Sequence, residues 1–391
     1  MYENLKNQSK LKNKIYYWSP FLTNVATIKA VLNSAFAINK YLKSNEVSVL
    51  NAVGEFEFAK KIEKYQNLKF LNLLKYDLHK YLPARGFIKS RISYLIIFLM
   101  CFFSLKNIIK KNKPNYLVIH LITSLPIILN SIFKFETKII LRISGLPKMN
   151  FLRKFIWINL GKNLHMITTP TLSTKNYLIK NKIFPEEKVF VLRDPVISIK
   201  NVNKQKNENL DYRLINKDFI LGIGRLTKQK NFEFLIENFK IISQNNKNLH
   251  LVILGDGEEK NKLLKIINKL DIADKVFLLG FQKNIYPYLK HTKCFILSSL
   301  WEDPGFVLIE AASSNSLIIS SNCPNGPEEL IENDNGGFVY LNNNSESFQK
   351  KFNEFLNDKN SYRKKIFIKK KVLDFTEYRH ADRFSRIINE K

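Results

Sequence analysis

Residues 219–239 read FILGIGRLTKQKNFEFLIENF: a short apolar run closed by Gly222 and Gly224, then Arg225 and Lys230, then Phe232, Leu235, Ile236 and Phe239 at helical spacing. A strand-length apolar run, a glycine turn and an amphipathic helix make up the strand–turn–helix unit of an α/β sheet. Such a turn exposes backbone N–H groups at the head of a helix, and two cations five residues apart beside it suit a diphosphate. A solvated basic helix start would carry the same residues.

The same alternation runs outward in both directions. Upstream, "KIYYWSP", "EVSVLNAV", "NYLVIHLI", "KIILRIS", "HMITTPT" and "KVFVLRD" are β-type runs separated by helical patterns; downstream follow "LHLVILGDG", "KVFLLGF", "CFILSS", "LIISSNC" and "GGFVY". Alternating elements of this kind predict parallel sheets covered by helices, with ligands at the carboxyl ends of the strands. The polar tract ISIKNVNKQKNENLDYRLINKD, residues 197–218, separates the two series. The expected division is therefore one domain over residues 1–198 and a second over 213–372. In "LVILGDGEE", Gly255 and Gly257 flank Asp256 after a strand, which signals a tight turn where backbone approaches something closely, although a structural strand-to-helix turn would carry the same residues.

The 391 residues hold 63 Lys and Arg against 34 Asp and Glu, a formal charge of +29. Residues 1–200 carry net +23 of it and the remainder +6. Heavy Lys, Asn and Ile usage resembles AT-rich coding bias, but such a bias does not explain the uneven split. An anionic partner for the first half does: nucleic acid, a phospholipid surface or a phosphorylated substrate. Aromatic residues do not interleave with the basic ones as on an RNA platform, so nucleic acid is not the expected partner. Cys101, Cys294 and Cys323 are scattered without disulfide-like or metal-like spacing, and the polar start MYENLKNQSKLKNK lacks the apolar segment of a signal peptide. The expected compartment is the cytoplasm.

ISYLIIFLMCFFSL, residues 92–105, is apolar on every face. As a helix it would be about 21 Å long, short of a hydrocarbon core of about 30 Å. Two readings fit: a buried core helix, or a helix dipping into one leaflet of an anionic membrane, flanked by Lys89, Arg91, Lys106, Lys110 and Lys111.

The stretch SSLWEDPGFVLIEAASS, residues 298–314, places Glu302 and Glu310 on either side of Pro304 and Gly305. Pro and Gly mark a helix start after the strand "CFILSS", so the N–H groups of Phe306 and Val307 offer a further anion site. Eight residues of helix rise about 12 Å. Two carboxylates at that separation can meet hydroxyls at opposite ends of a nucleotide sugar with its phosphates between them. Two glutamates on a surface helix are the plainer reading, but Glu310 lies within "VLIEAA", where an unpaired charge is costly.

Taken in order, Arg225 with Lys230, "GDGEE", Gly280 in "LLGF", the E-x7-E pair Glu302/Glu310, "NCPNGPEELI" and "NGGFVY" resemble the retaining family 4 glycosyltransferases of bacterial polysaccharide, O-antigen and capsule type. The likeness is specific over residues 218–340 and looser in the first half, through "YYWSPFLTNVATIKA" and "LRISGLPKMN". It implies a GT-B fold: two Rossmann-like, doubly wound domains facing each other across a cleft, with the last helix, 375–391, packed back on the first. It implies transfer of a hexosyl or N-acetylhexosaminyl unit from a nucleotide-sugar donor to a glycan or polyprenyl-linked acceptor, with retention; the charge of the first half and the apolar run 92–105 predict peripheral association with the inner face of the cell membrane. No metal or other cofactor is expected.

Carried over by position, Glu302, Arg225 and Lys230 are the expected catalytic residues. Gly224, Gly280, Phe281, Gly305, Phe306, Val307 and Glu310 are expected to bind the donor. The acceptor-side candidates are Asn24, His120, Ser144 and Gly145. Many relatives have a His in the loop where this chain has Ser144 and Gly145, so a role for such a His does not transfer. A GT-B sugar-nucleotide epimerase would share the fold and the donor.

Overall fold

The computed structural model of the chain describes residues 13–22, 26–83, 86–147 and 149–390; the candidate Asn24 lies outside the described residues. Two compact units form, Met1–Pro195 with Glu377–Lys391, and Val196–Thr376. In the first, strands β1 (Lys14–Trp18), β2 (Glu46–Asn51), β3 (Lys69–Asn72), β4 (Tyr116–Ile119), β5 (Lys138–Arg142), β6 (Met166–Thr169) and β7 (Val189–Val191) make a parallel sheet in the order 3-2-1-4-5-6-7. In the second, β8 (Asp218–Ile223), β9 (Leu249–Leu254), β10 (Val276–Leu278), β11 (Phe295–Leu297), β12 (Ile318–Ser321) and β13 (Phe338–Tyr340) follow the order 10-9-8-11-12-13. Both sheets reverse their winding at an interior strand, which opens a crevice at the carboxyl ends there.

Each sheet is buried on both faces, which is why its strands read as continuous apolar runs. Tyr16, Trp18, Leu117, Ile119 and Leu141 enter one core of the first unit, while Ile15, Tyr17, Tyr116, Val118 and Ile140 enter the other. The second unit divides likewise, with Leu221, Ile223, Val252 and Leu254 against Ile220, Leu251 and Ile253. Each such side chain contributes about 1.5–3 kcal/mol of burial. The twelve runs read from the sequence are all strands. β3 carries no comparable signal, because it is a short edge strand without a buried residue.

The apolar run 92–105 lies within a longer helix, Phe87–Asn112, which begins after Gly86 at φ +93 and ends at Lys113 in the left-handed region. Its 26 residues extend about 39 Å, so the expectation of a helix too short to span is corrected: by length and composition it is long enough to cross a membrane. The apolar residues alone underestimated it, since polar turns extend it at both ends. One face, Ser93, Ile97, Cys101, Leu105 and Ile109, is buried, its apolar members in the core of the first unit.

The polar tract 197–218 is folded rather than extended, with a helix Ile199–Gln205 and a turn Tyr212–Leu214 that bury Ile197, Val202 and Leu214 in the second unit. The final helix, Glu377–Asn389, packs Ala381, Phe384, Ile387 and Ile388 into the core that also holds Ile28, Val31 and Leu32 of the helix Ala26–Tyr41.

Candidate active site

The carboxyl ends of β8, β9 and β10 interlock through their glycines. Gly255 adopts φ +143, and a Cβ there would stand 1.8 Å from the Gly224 carbonyl oxygen. The Gly224 N–H donates to the Leu254 carbonyl at 3.0 Å, the Gly255 N–H to the Gly280 carbonyl at 2.8 Å, and the Leu226 N–H to the Asp256 carbonyl at 2.9 Å. The close approach signalled by "GDG" is thus made to the neighbouring turn, where only glycine fits. Arg225 stands exposed on this interlocked backbone, and Phe281, 78% exposed, follows Gly280 at φ +71.

Gly224 has a second use. The Lys230 stem runs across it, with Cγ, Cδ and Cε each 3.1 Å from where a Cβ would be. That path brings Nζ to 2.5 Å from Glu302 Oε1, and the Ser299 hydroxyl donates to the same oxygen at 2.5 Å. The pair is nearly closed off from solvent, with the Lys230 side chain 13% and the Glu302 side chain 4% exposed. Ser298 Oγ donates to the Lys230 carbonyl at 2.8 Å, and the Leu300 N–H to the Gln229 carbonyl at 2.8 Å. The turn Lys228–Lys230 is therefore stitched to the loop after β11, and two of the expected catalytic residues meet across 72 positions of sequence.

Below that loop lies the NGP segment. Gly326, at φ +145, leaves no room for a Cβ beside the Pro304 carbonyl, and Asn325 Nδ2 donates to the Glu302 carbonyl at 3.1 Å and to Asp303 Oδ1 at 2.9 Å. Gly305, at φ +88, precedes the helix Phe306–Ser313, whose first N–H groups belong to Phe306 and Val307. These groups lack an intrahelical acceptor by construction. Glu310 sits half-buried on the same helix, near Tyr286, whose phenol pKa is pushed up by burial and further by the Glu310 charge. The second unit thus gathers Gly224, Arg225, Lys230, Gly280, Phe281, Glu302, Gly305, Phe306, Val307 and Glu310 around strand ends β8 to β11 and the helix that follows. Ser299 and Asn325 were missed by the motif reading. Their signal, polar residues in a strand-end loop and before a turn glycine, is common to many loops.

His120, Ser144 and Gly145 belong to the first unit, after β4 and β5. Ser144 and Gly145 lie in a half-buried loop. His120 is buried; its Nδ1 lies 3.4 Å from the Arg142 carbonyl and its Nε2 has no hydrogen-bond partner among the described residues. Burial, with the Arg142 charge beside it, pushes its pKa down to about 3, so the ring is neutral. Arg142 itself pairs with Asp194 at 2.5 Å in the interior. Beside them Ser34 Oγ lies 2.7 Å from His380 Nε2, and His380 Nδ1 lies 2.7 Å from the Arg193 carbonyl. A carbonyl only accepts, so Nδ1 carries the proton and Nε2 accepts from Ser34. Among the described residues no three His, Cys, Asp or Glu side chains come together as a metal-binding group.

Residues 205–371 match the family model of the glycosyl transferases group 1. An uncharacterized glycosyltransferase of Methanocaldococcus jannaschii is 32% identical over 325 residues, 74% of this chain and 77% of the relative. The Campylobacter jejuni enzyme named N-acetylgalactosamine-N,N'-diacetylbacillosaminyl-diphospho-undecaprenol 4-alpha-N-acetylgalactosaminyltransferase is 25% identical over 367 residues, 90% of this chain and 91% of its own. The crystal structure of a glycosyltransferase from Rickettsia africae matches 97% of this chain and 98% of its own at a TM-score of 0.77; at 16% identity the likeness is one of fold. With a glycosyltransferase 32% identical over 74% of this chain, and the family model spanning the strand-end loops described above, the protein belongs to the group 1 glycosyl transferases and has the GT-B fold.

Proposed function

We propose that the protein transfers a hexosyl or N-acetylhexosaminyl unit from a nucleotide sugar to a polyprenyl-linked or glycan acceptor in cell-surface polysaccharide synthesis, with retention at the anomeric carbon. The observation that carries this reading is the buried Lys230–Glu302 pair beside Gly224, Arg225 and the head of the helix Phe306–Ser313. Arg225, Lys230 and the N–H groups of Phe306 and Val307 receive the diphosphate. Their positive charge stabilises it as it leaves, which is where such donors act most strongly, and no metal ion enters the scheme. Glu302 uses Oε1 to hold Lys230 and offers Oε2 to a sugar hydroxyl. Glu310 accepts from the ribose hydroxyls, and Gly280 and Phe281 face the base. The departing phosphate oxygen takes the acceptor hydroxyl's proton as the new glycosidic bond forms on the face the diphosphate leaves. His120, Ser144 and Gly145 are assigned to the acceptor side.

The lipid-linked acceptor of the Campylobacter relative supports the acceptor class and, with it, a peripheral position at the inner face of the cell membrane. The test is incubation of the purified chain with a panel of nucleotide sugars, ranked first by thermal shift, then with a polyprenyl-diphosphate-linked sugar acceptor. The expected product is an α-linked glycolipid from an α-linked donor, by NMR. Inversion would remove retention, and an isomerised nucleotide sugar formed without acceptor would replace transfer by epimerisation.

A further inference from the structure

The helix Phe87–Asn112 buries one face and leaves the other uncovered. Ile88, Ile92, Leu95, Leu99 and Phe103 are exposed, recur every three or four residues, and form a stripe about 22 Å long. Lys106 and Lys110 continue the stripe toward the helix C-terminus. A second exposed apolar group adjoins the first. The helix Phe151–Phe155 exposes Phe151 (88%), Leu152 and Phe155. Arg153 lies near enough to Arg91 for the two charges to oppose one another, which ties this helix to the N-terminal half of the stripe. At the other end, Lys106 caps the Phe133 ring at 4.3 Å and lines a bay of about 290 Å³ with Lys110, Lys113 and Lys134. Glu136, paired with Lys113 at 3.6 Å, is the bay's acidic group.

We infer that this surface docks the protein on an anionic lipid leaflet, with Phe87–Asn112 lying in the plane of the interface and Phe151, Leu152 and Phe155 entering beside it. The inference deepens the proposed function and rests on it only for the purpose of docking. Three features select this occupant. An exposed apolar stripe of this size with a cationic border is the pattern of an interfacial helix. Neither helix carries an acid, while Lys89, Arg91, Lys106, Lys110, Lys111, Arg153 and Lys154 surround the apolar residues. A second copy meeting the surface across a two-fold axis would set these cations against their own images, whereas anionic headgroups complement them. Spanning is excluded by the opposite face, where Ile97, Cys101, Leu105 and Ile109 fill the core of the first unit.

The experiment is sedimentation of the full chain with vesicles of phosphatidylcholine alone or mixed with phosphatidylglycerol. The expected result is binding to the mixed vesicles at least about tenfold stronger than to phosphatidylcholine, falling as salt is raised. Leu95→Glu/Leu99→Glu and Phe151→Ser/Phe155→Ser should each reduce it about tenfold or more, as should Lys106→Glu/Lys110→Glu. Ile241→Glu, an exposed apolar position of the other unit, should leave it unchanged. These positions are exposed, and nucleotide-sugar thermal shifts check that the variants remain folded. Wild-type protein that stays in the supernatant, or binding that survives both apolar variants, overturns the inference. So does a dimer in solution that Leu95→Glu/Leu99→Glu makes monomeric. A wild-type chain that binds vesicles but no nucleotide sugar overturns the transfer reading and leaves this one standing.

Discussion

Removing either partner of the Lys230–Glu302 pair should cost far more than removing both. The two side chains are 13% and 4% exposed and meet at 2.5 Å, with Ser299 as the other donor to the same carboxylate oxygen. Breaking a buried pair from one side costs about 3–5 kcal/mol, because a charge is left without its partner. The residual exposure of Lys230 favours the low end, about 3 kcal/mol, for Lys230→Met and for Glu302→Gln. The double variant carries no stranded charge and should lose only about 1 kcal/mol, giving a coupling energy well above the additivity limit of about 0.5 kcal/mol. For a unit the size of Val196–Thr376, 3 kcal/mol corresponds to a fall of roughly 6–12 °C in melting temperature. Thermal denaturation of the four proteins, following the transition that a nucleoside diphosphate shifts upward, measures the cycle. Losses in the single variants that add up in the double would refute the reasoning: the pair would then be an incidental contact, and Lys230 would not be held in place by Glu302.

Arg225 is exposed, so Arg225→Ala should leave the melting temperature unchanged while weakening nucleoside diphosphate binding about tenfold or more by calorimetry, the worth of one charge-assisted contact. Glu310→Gln should lower turnover at least about tenfold with the fold intact in circular dichroism; equal rates would remove Glu310 from the donor site. Gly255→Ala has to move the Gly224 carbonyl away from a Cβ that would lie 1.8 Å from it, at a φ of +143, so both stability and donor binding should fall; a wild-type melting curve would contradict the interlock. His380 has its pKa lowered from 6.5 to about 4, chiefly by burial. Between those values the unfolded imidazole takes up a proton that the native one does not, so stability is present above pH 6.5 and is lost, by about 3 kcal/mol, as pH falls toward 4. His380→Gln should flatten that part of the pH–stability curve; an unchanged slope would place the acid sensitivity elsewhere.

Period and punctuation are local properties, and they made the architecture legible from sequence alone. Runs such as "FILGIG" and "CFILSS" are continuous and apolar because parallel strands are buried on both faces, and glycine or proline closes each where the chain turns at the carboxyl edge. Twelve strands, the two sheets, the strand-end loops carrying Arg225, Lys230 and Glu302, and the helix carrying Glu310 followed from that pattern. β3 escaped because an edge strand need bury nothing. Tertiary structure alone decided which residues meet. Lys230 and Glu302 are joined across 72 positions, Gly255 owes its identity to the Gly224 carbonyl, and His380 reaches back 346 positions to Ser34. The same holds for the helix Phe87–Asn112. Its central run, residues 92–105, is apolar on every face, so no periodicity could say which face would be covered. The sheet of the first unit took up Ile97, Cys101, Leu105 and Ile109, and the uncovered stripe is what that packing left over. Local sequence sets what each segment can form, but partners distant in the chain are chosen only when the segments pack, because that choice depends on shape and charge contributed by both sides.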